Sequence, residues 1–156
     1  MQPIPTIFSQ LDPYQLELIQ LSYILLEKEE SHPNGISDFS FIVFPTAKAY
    51  EGFLKEYLLK AGFIDKETYM SRRFRIGRAL NPDLHTQQQD ERWLYDDLSH
   101  AVGSDLAREV WDTWLTCRNH VFHYFPEHNK RVSLQQAREC LTILTNTIEA
   151  MLKAGK

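Results

Sequence analysis

Cysteine is scarce in this chain: Cys117 and Cys140 are the only two in 156 residues, and they fall in stretches that read as separate helices. Two thiols make no disulfide framework, so a reducing compartment, the cytoplasm, is expected. Long apolar runs are missing as well. No window reaches the roughly 18 uncharged apolar residues of a membrane helix. The opening MQPIPTIFSQLDP has neither the basic start nor the apolar stretch of a signal peptide. Positive charge is also in short supply, with 17 Lys and Arg against 21 Asp and Glu, a formal net charge of -4. A molecule of that sign is repelled by a phosphate backbone unless its basic residues gather on one side, so a nucleic-acid role requires a local patch.

Apolar and aromatic residues are present in quantity: 43% of the chain is hydrophobic and 12% aromatic, against 24% charged. That balance builds a core and keeps the exterior wet, and the length suits one globular domain spanning residues 1–156. There is no internal repeat, low-complexity tract or linker.

The pattern along the chain is helical. Asp12 followed by Pro13 is an N-cap with proline at the first helical position, and Tyr14, Leu18, Leu21 and Leu25 carry the apolar pattern of a helix over 12–30. SHPNG, 31–35, is a loop by its turn residues. SFIVF has the apolar density of a buried strand, but Ala47, Tyr50, Leu54, Tyr57 and Ala61 behind it are spaced by three and four. With no second strand to pair with it, a helix from about Asp38 to Gly62, kinked at Pro45, is expected. YMSRRFRIGRAL, 69–80, reads as a short helix stopped by Asn81-Pro82. A brief segment follows from Trp93 to Leu98. Ser104 or Asp105 then caps a helix running through Trp111, Trp114 and Leu115 and ended by Pro126. The last helix, Ser133 to Lys153, has the clearest stripe, Leu134, Ala137, Leu141, Leu144, Ile148 and Met151. The expected architecture is an all-α, single-domain bundle of four to five helices.

Chemistry concentrates in TCRNHVFHYFPEH, 116–128. On a regular helix Asn119 and His123 lie within about 40° of each other, whereas Arg118 and His123 differ by about 140°. Both can address one ligand only if Arg118 bends around the helix, if the helix loosens, or if two copies of the motif meet across a dimer axis. An arginine beside an imidazole suits phosphoryl chemistry: guanidinium is a permanent planar fork of donors, and histidine takes or gives a proton near neutrality. RNA brings its own nucleophile, the 2'-hydroxyl, so neither metal nor cofactor is required.

The R-N-x-x-x-H arrangement of Arg118, Asn119 and His123 resembles the R-x4-6-H motif of the HEPN superfamily of helical-bundle ribonucleases. FSFIVFPTAKAYEGFLKEYLLKAGFI, 39–64, resembles the corresponding segment of the RNase LS-type toxins, whose C-terminal domain is of HEPN type. Together the two cover the chain from Phe39 onward. The resemblance implies a homodimer with the motif helices at its interface, cleaving RNA without metal to a 2',3'-cyclic phosphate and a 5'-hydroxyl. It also implies a toxin or defence role with a cognate antitoxin protein. By the same resemblance His123 is the general base or acid, Arg118 stabilises charge on the phosphorane, Asn119 orients Arg118 or its partner across the axis, and Glu51 of AYEGFL faces the same cleft. HEPN proteins paired with nucleotidyltransferase antitoxins show H-x-Y, whereas here Tyr124 and Phe125 follow His123 directly.

Blander readings stand beside these. Arg118, Asn119 and His123 also suit a polar helix end, where the dipole favours histidine. Cys117, His120, His123 and His128 suggest zinc, but no second pair at ligand spacing completes a tetrahedral set. Arg72, Arg73, Arg75 and Arg78 form the one dense basic run, either a solvated face or an RNA-backbone contact. Trp111 and Trp114 read as core or interface anchors rather than stacking platforms, and Tyr50 and Tyr57 as core. A helical module that dimerises or docks a partner without catalysis, or a nucleotide-binding accessory domain, are the alternatives to the nuclease.

Overall fold

The computed structural model describes residues 5–32, 35–124, 126 and 131–155. Among them, four long elements make the frame: α1, Pro13–Ser31; α2, Ser40–Lys60; α6, Ser104–Trp114; and α8, Leu134–Ala154. Shorter helices α3 (Lys66–Met70), α4 (Ile76–Ala79) and α5 (Tyr95–Val102) lie between α2 and α6. Beyond Trp114 the chain keeps turning through a π turn, Leu115–Asn119, and a final α turn, α7, His120–Phe122. No strand occurs among the described residues.

Cross-helix contacts fix the directions. Ser22 bonds to Thr46 and Gln15 lies beside Gly52, so α1 and α2 are antiparallel. Tyr23 meets Thr145 and Glu30 pairs with Arg138, so α1 also opposes α8. Thr113 meets Thr147 while Cys117 beyond it meets Cys140, and Tyr50 bonds to Val110 while Phe44 meets Phe122, so α6 with its continuation opposes both α8 and α2. The result is an up-down-up-down bundle in which α1 and α6 run one way and α2 and α8 the other. Its core holds Ile19 and Leu26 of α1, Ile42, Tyr50 and Leu54 of α2, Val110 of α6, and the α8 stripe Ala137, Leu141, Leu144, Ile148 and Met151.

Local chemistry explains the ends. The Asp12 carboxylate accepts from the Tyr14 amide behind Pro13, and Ser133 and Gln136 form a reciprocal capping box on α8. Gly62, at φ 76, turns the chain out of α2 through backbone space that favours glycine. Pro45 lies buried inside α2. A proline there opens the preceding turn, and the Thr46 amide donates across to Ser22 Oγ at 3.0 Å.

Three expectations are corrected. Residues 69–80 are not one helix. The chain is extended at Ser71, whose hydroxyl accepts from the Arg73 amide, and at Arg75, so α3 and α4 are separate turns. Neither Ser104 nor Asp105 caps α6; Gly103, at φ 91, breaks α5 from α6, and Ser104 is the first helical residue. The stripe Tyr14, Leu18, Leu21, Leu25 is not the buried face of α1. Tyr14 is 52% and Leu21 42% exposed, while Gln15, Ile19, Ser22, Leu26 and Glu29 point inward. Gln15 and Ser22 face α2 at Gly52 and the Thr46 amide, and Leu18 and Leu25 pack half-buried at the flank.

Trp111 and Trp114 are buried, as is Tyr50, while Tyr57 is half-buried. No helix among the described residues is long and apolar enough to cross a membrane.

Candidate active site

The motif sits where α6 loosens. His120 N–H donates to the carbonyl of Leu115, the five-residue spacing of a π turn. Two contacts bracket that turn. The Tyr50 hydroxyl donates to the Val110 carbonyl at 2.9 Å just before it, and within it the buried Cys117 thiol meets Cys140 of α8. The neighbouring thiol, then burial, push Cys117 above the ordinary thiol range. A regular helix would carry Arg118 away from His123; the wider turn alters that phase.

Arg118 is held on two sides. Its guanidinium carbon is 5.0 Å from the centre of the Trp114 ring, and its Nη2 is 3.8 Å from Glu51 Oε2. The side chain remains 34% exposed. Glu51 is shared, since its other oxygen lies 3.0 Å from Lys55 Nζ. Trp114 is fixed in turn by α4, where Gly77 leaves room for the indole.

These residues border a cleft of about 620 Å³. Its floor is the outward strip of α2, Phe44, Lys48, Glu51 and Lys55; one wall is the first turns of α1, and the other is Arg118 with Phe122. Phe44 and Phe122 meet edge to face at 5.6 Å. Lys48 reaches the Tyr14 hydroxyl at 3.0 Å and lies 5.2 Å from that ring's centre.

Asn119 and His123 do not line the cleft. The backbone carbonyl of Asn119 accepts from the His123 amide at 3.3 Å and from its ring Nδ1 at 2.9 Å, closing the last turn with His123 exposed. A carbonyl only accepts, so the proton is on Nδ1 and, in the neutral ring, Nε2 is the basic nitrogen. The structure therefore brings Glu51 to Arg118 and sets His123 outside their cleft, at the exposed end of α7.

The arginine run lies elsewhere. Arg78 is engaged by both carboxylate oxygens of Asp90, at 3.0 and 2.8 Å, and by the Gln88 carbonyl. That pair holds the Asp90 carboxyl below its usual range. Arg75 turns its guanidinium onto the carbonyls of Arg72 and Phe74, while Arg72 and Arg73 are exposed. His128 and Phe125 lie outside the described residues.

Sequence reading passed over Gln15, Lys48, Lys55 and Phe122. The signal for the two lysines was available: Lys48, Glu51 and Lys55 follow one another three and four apart, a charged strip on an otherwise apolar helix. A comparison with family models, curated proteins and solved structures finds no match in any of the three.

Proposed function

We propose that the protein is a metal-independent endoribonuclease of HEPN type, working as a homodimer in which the two motifs face a shared groove. The observation that carries this reading is the placement of Arg118. A permanent cation is fixed by Trp114 and Glu51 yet open to solvent, on a π turn that one further α turn, α7, separates from the exposed imidazole of His123. Such turns inside α-helices are frequent at functional sites.

In this reading the RNA 2'-oxygen attacks phosphorus, forming the 2'-O–P bond as the bond from phosphorus to the 5'-oxygen breaks. One His123 takes the 2'-hydroxyl proton through Nε2, and the protonated His123 of the second copy delivers one to the departing 5'-oxygen. Arg118 offers its donors to the negative charge on the phosphorane. The products are a 2',3'-cyclic phosphate and a 5'-hydroxyl. Glu51 positions Arg118, and Arg72 and Arg73 offer a backbone contact outside the cleft. The biological setting proposed is a toxin or defence nuclease restrained by a cognate antitoxin protein.

The test is cleavage of unpaired RNA in EDTA by the purified chain, with product ends identified and His123→Ala and Arg118→Ala compared. The reading expects both variants to lose activity by about a hundredfold or more; cleavage that survives both would remove this site.

A second reading is supported by the exposed apolar residues Leu21, Ile24, Phe41 and Phe44, which suit a helical module that binds a partner without chemistry. Expression in bacteria separates the two. Toxicity relieved by His123→Ala belongs to the enzyme, and harmless accumulation to the module.

A further inference from the structure

The cleft beside Arg118 holds more than the reaction itself uses. Gln15, in its α1 wall, is only 6% exposed, and its side-chain oxygen is buried with no hydrogen-bond partner. An orphan acceptor in a protein wall is costly unless some donor arrives to meet it. Across from it Gly52 of α2 presents no side chain; a β-carbon there would lie 3.4 Å from Gln15 Nε2, an ordinary contact.

The cleft's lining carries three cations, Lys48, Lys55 and Arg118, and three carboxylates, Asp12, Glu51 and Glu56, so what it offers an anion depends on which of these are already engaged. Lys55 and Arg118 share the one carboxylate of Glu51. Lys48 is held by the hydroxyl and ring of Tyr14, with no carboxylate in ion-pair reach among the described residues. The acids at the rim are occupied: Asp12 caps the Tyr14 amide, and Glu56 lies 3.6 Å from Lys60. Between these cations stands an aromatic surface, Phe44, 56% exposed, against Phe122. Anion-binding groups, an exposed aromatic ring and a buried acceptor together describe one ligand chemistry, a phosphate joined to an aromatic base through a hydroxylated sugar.

We propose that this cleft seats one unpaired nucleotide of an RNA strand, next to the phosphate that is cut. Lys48 and Arg118 engage its phosphates, the exposed Phe44 ring stacks its base with Phe122 edge-on beside it, and Gln15 Oε1 accepts from a ribose hydroxyl or an exocyclic amine. The base must leave its stack to lie there, so the ligand is single-stranded rather than duplex. The identity of the ligand as RNA rests on the ribonuclease reading; the cleft's affinity for a nucleotide does not depend on cleavage.

The test uses the full chain carrying His123→Ala, which leaves RNA intact, titrated with a labelled unpaired oligoribonucleotide. Lys48→Gln and Gln15→Leu are each expected to weaken binding about tenfold, and Lys48→Gln to reduce the salt slope by about one. Lys48 is on the surface, so its variant reports even if Gln15→Leu fails to fold. With His123 restored, the same substitutions raise KM rather than lower kcat. If the chain cleaves RNA and both variants bind and cleave as the parent does, the nucleotide seat is overturned and the nuclease stands. If nothing is cleaved but both variants weaken oligoribonucleotide binding, the seat stands and the nuclease reading falls. A nucleoside monophosphate that binds as tightly as the oligonucleotide overturns the RNA strand as occupant in favour of the free nucleotide.

Discussion

Gly77 faces Trp114 so closely that a β-carbon added to it would lie 2.8 Å from the indole Nε1 and 3.4 Å from Cε2. The indole is buried, so it cannot step aside into water. Because Arg118 lies over the same indole, 5.0 Å from the ring centre, a shift of Trp114 is passed to the guanidinium. Gly77→Ala is expected to destabilise the fold by about 1–3 kcal/mol through overpacking. It should also move the tryptophan emission of the folded state and lower RNA cleavage beyond what the stability loss explains. Urea unfolding followed by fluorescence, with activity measured well below the midpoint, checks both parts. Unchanged emission and activity would separate Gly77 from the site.

How much of this was legible in the sequence depends on how far each cause lies along the chain. Asp12 with Pro13, Ser133 with Gln136, and the α8 stripe are local signals, and the structure uses each one. The helix through Pro45 was also readable, although the partner of its freed amide, Ser22, was not. The π turn has no local signature. Tyr50, sixty residues before Val110, bonds to the turn that precedes it, and Cys140 packs onto it from another helix. Residues 69–80 look helical by composition, but Arg78 is drawn to Asp90, twelve residues on. Gln15 was passed over because nothing in its neighbours announces that Gly52 lies opposite. Glu51 was found by resemblance, whereas Lys48 and Lys55 could have been found by helical spacing alone.

Ser22 Oγ accepts from the Thr46 amide directly after Pro45, and the residue is fully buried. Ser22→Ala strands that amide where water does not reach it, so a loss of about 1–3 kcal/mol is expected. Ser22→Thr keeps the oxygen and should recover part of the loss. Thermal and urea unfolding of the two variants decide the matter; an alanine variant as stable as the parent would mean that the proline-opened turn needs no partner.

Tyr50 sets the behaviour at high pH. Burial first, then the nearby Cys117 and Glu109, push its hydroxyl well above the ordinary tyrosine value of 10.0. A folded-state value raised above the unfolded one gives stability that is complete below about pH 10 and is lost as pH rises, because the unfolded chain sheds the proton first. Unfolding free energy should therefore fall above about pH 10. Tyr50→Phe should flatten the upper part of that curve while costing about 1 kcal/mol at neutral pH for the lost bond to Val110. Equal slopes for parent and variant above pH 10 would be the contrary result.

The carboxylate of Glu51 gives the sharpest separation between positioning and mere structure. It lies 3.0 Å from Lys55 and 3.8 Å from Arg118, on partly exposed side chains, so its ion pairs are worth only about 0–1 kcal/mol of stability. Its influence on chemistry is expected to be larger, since a small misplacement of a catalytic group can cost up to about a hundredfold in rate. Glu51→Gln keeps the shape and removes the charge. On the ribonuclease reading, kcat falls by about ten- to a hundredfold because Arg118 loses one of its two holds. RNA binding tightens at the same time, because a negative charge has left a cleft that receives phosphate and Lys55 and Arg118 are no longer neutralised. A purely structural residue would move both quantities in the unfavourable direction or neither. Binding of an unpaired oligoribonucleotide to the His123→Ala protein with and without Glu51→Gln, set beside kcat measured with His123 intact, reads the two effects separately. Weaker binding together with an unchanged kcat would remove Glu51 from the site and leave Arg118 to be held by Trp114 alone.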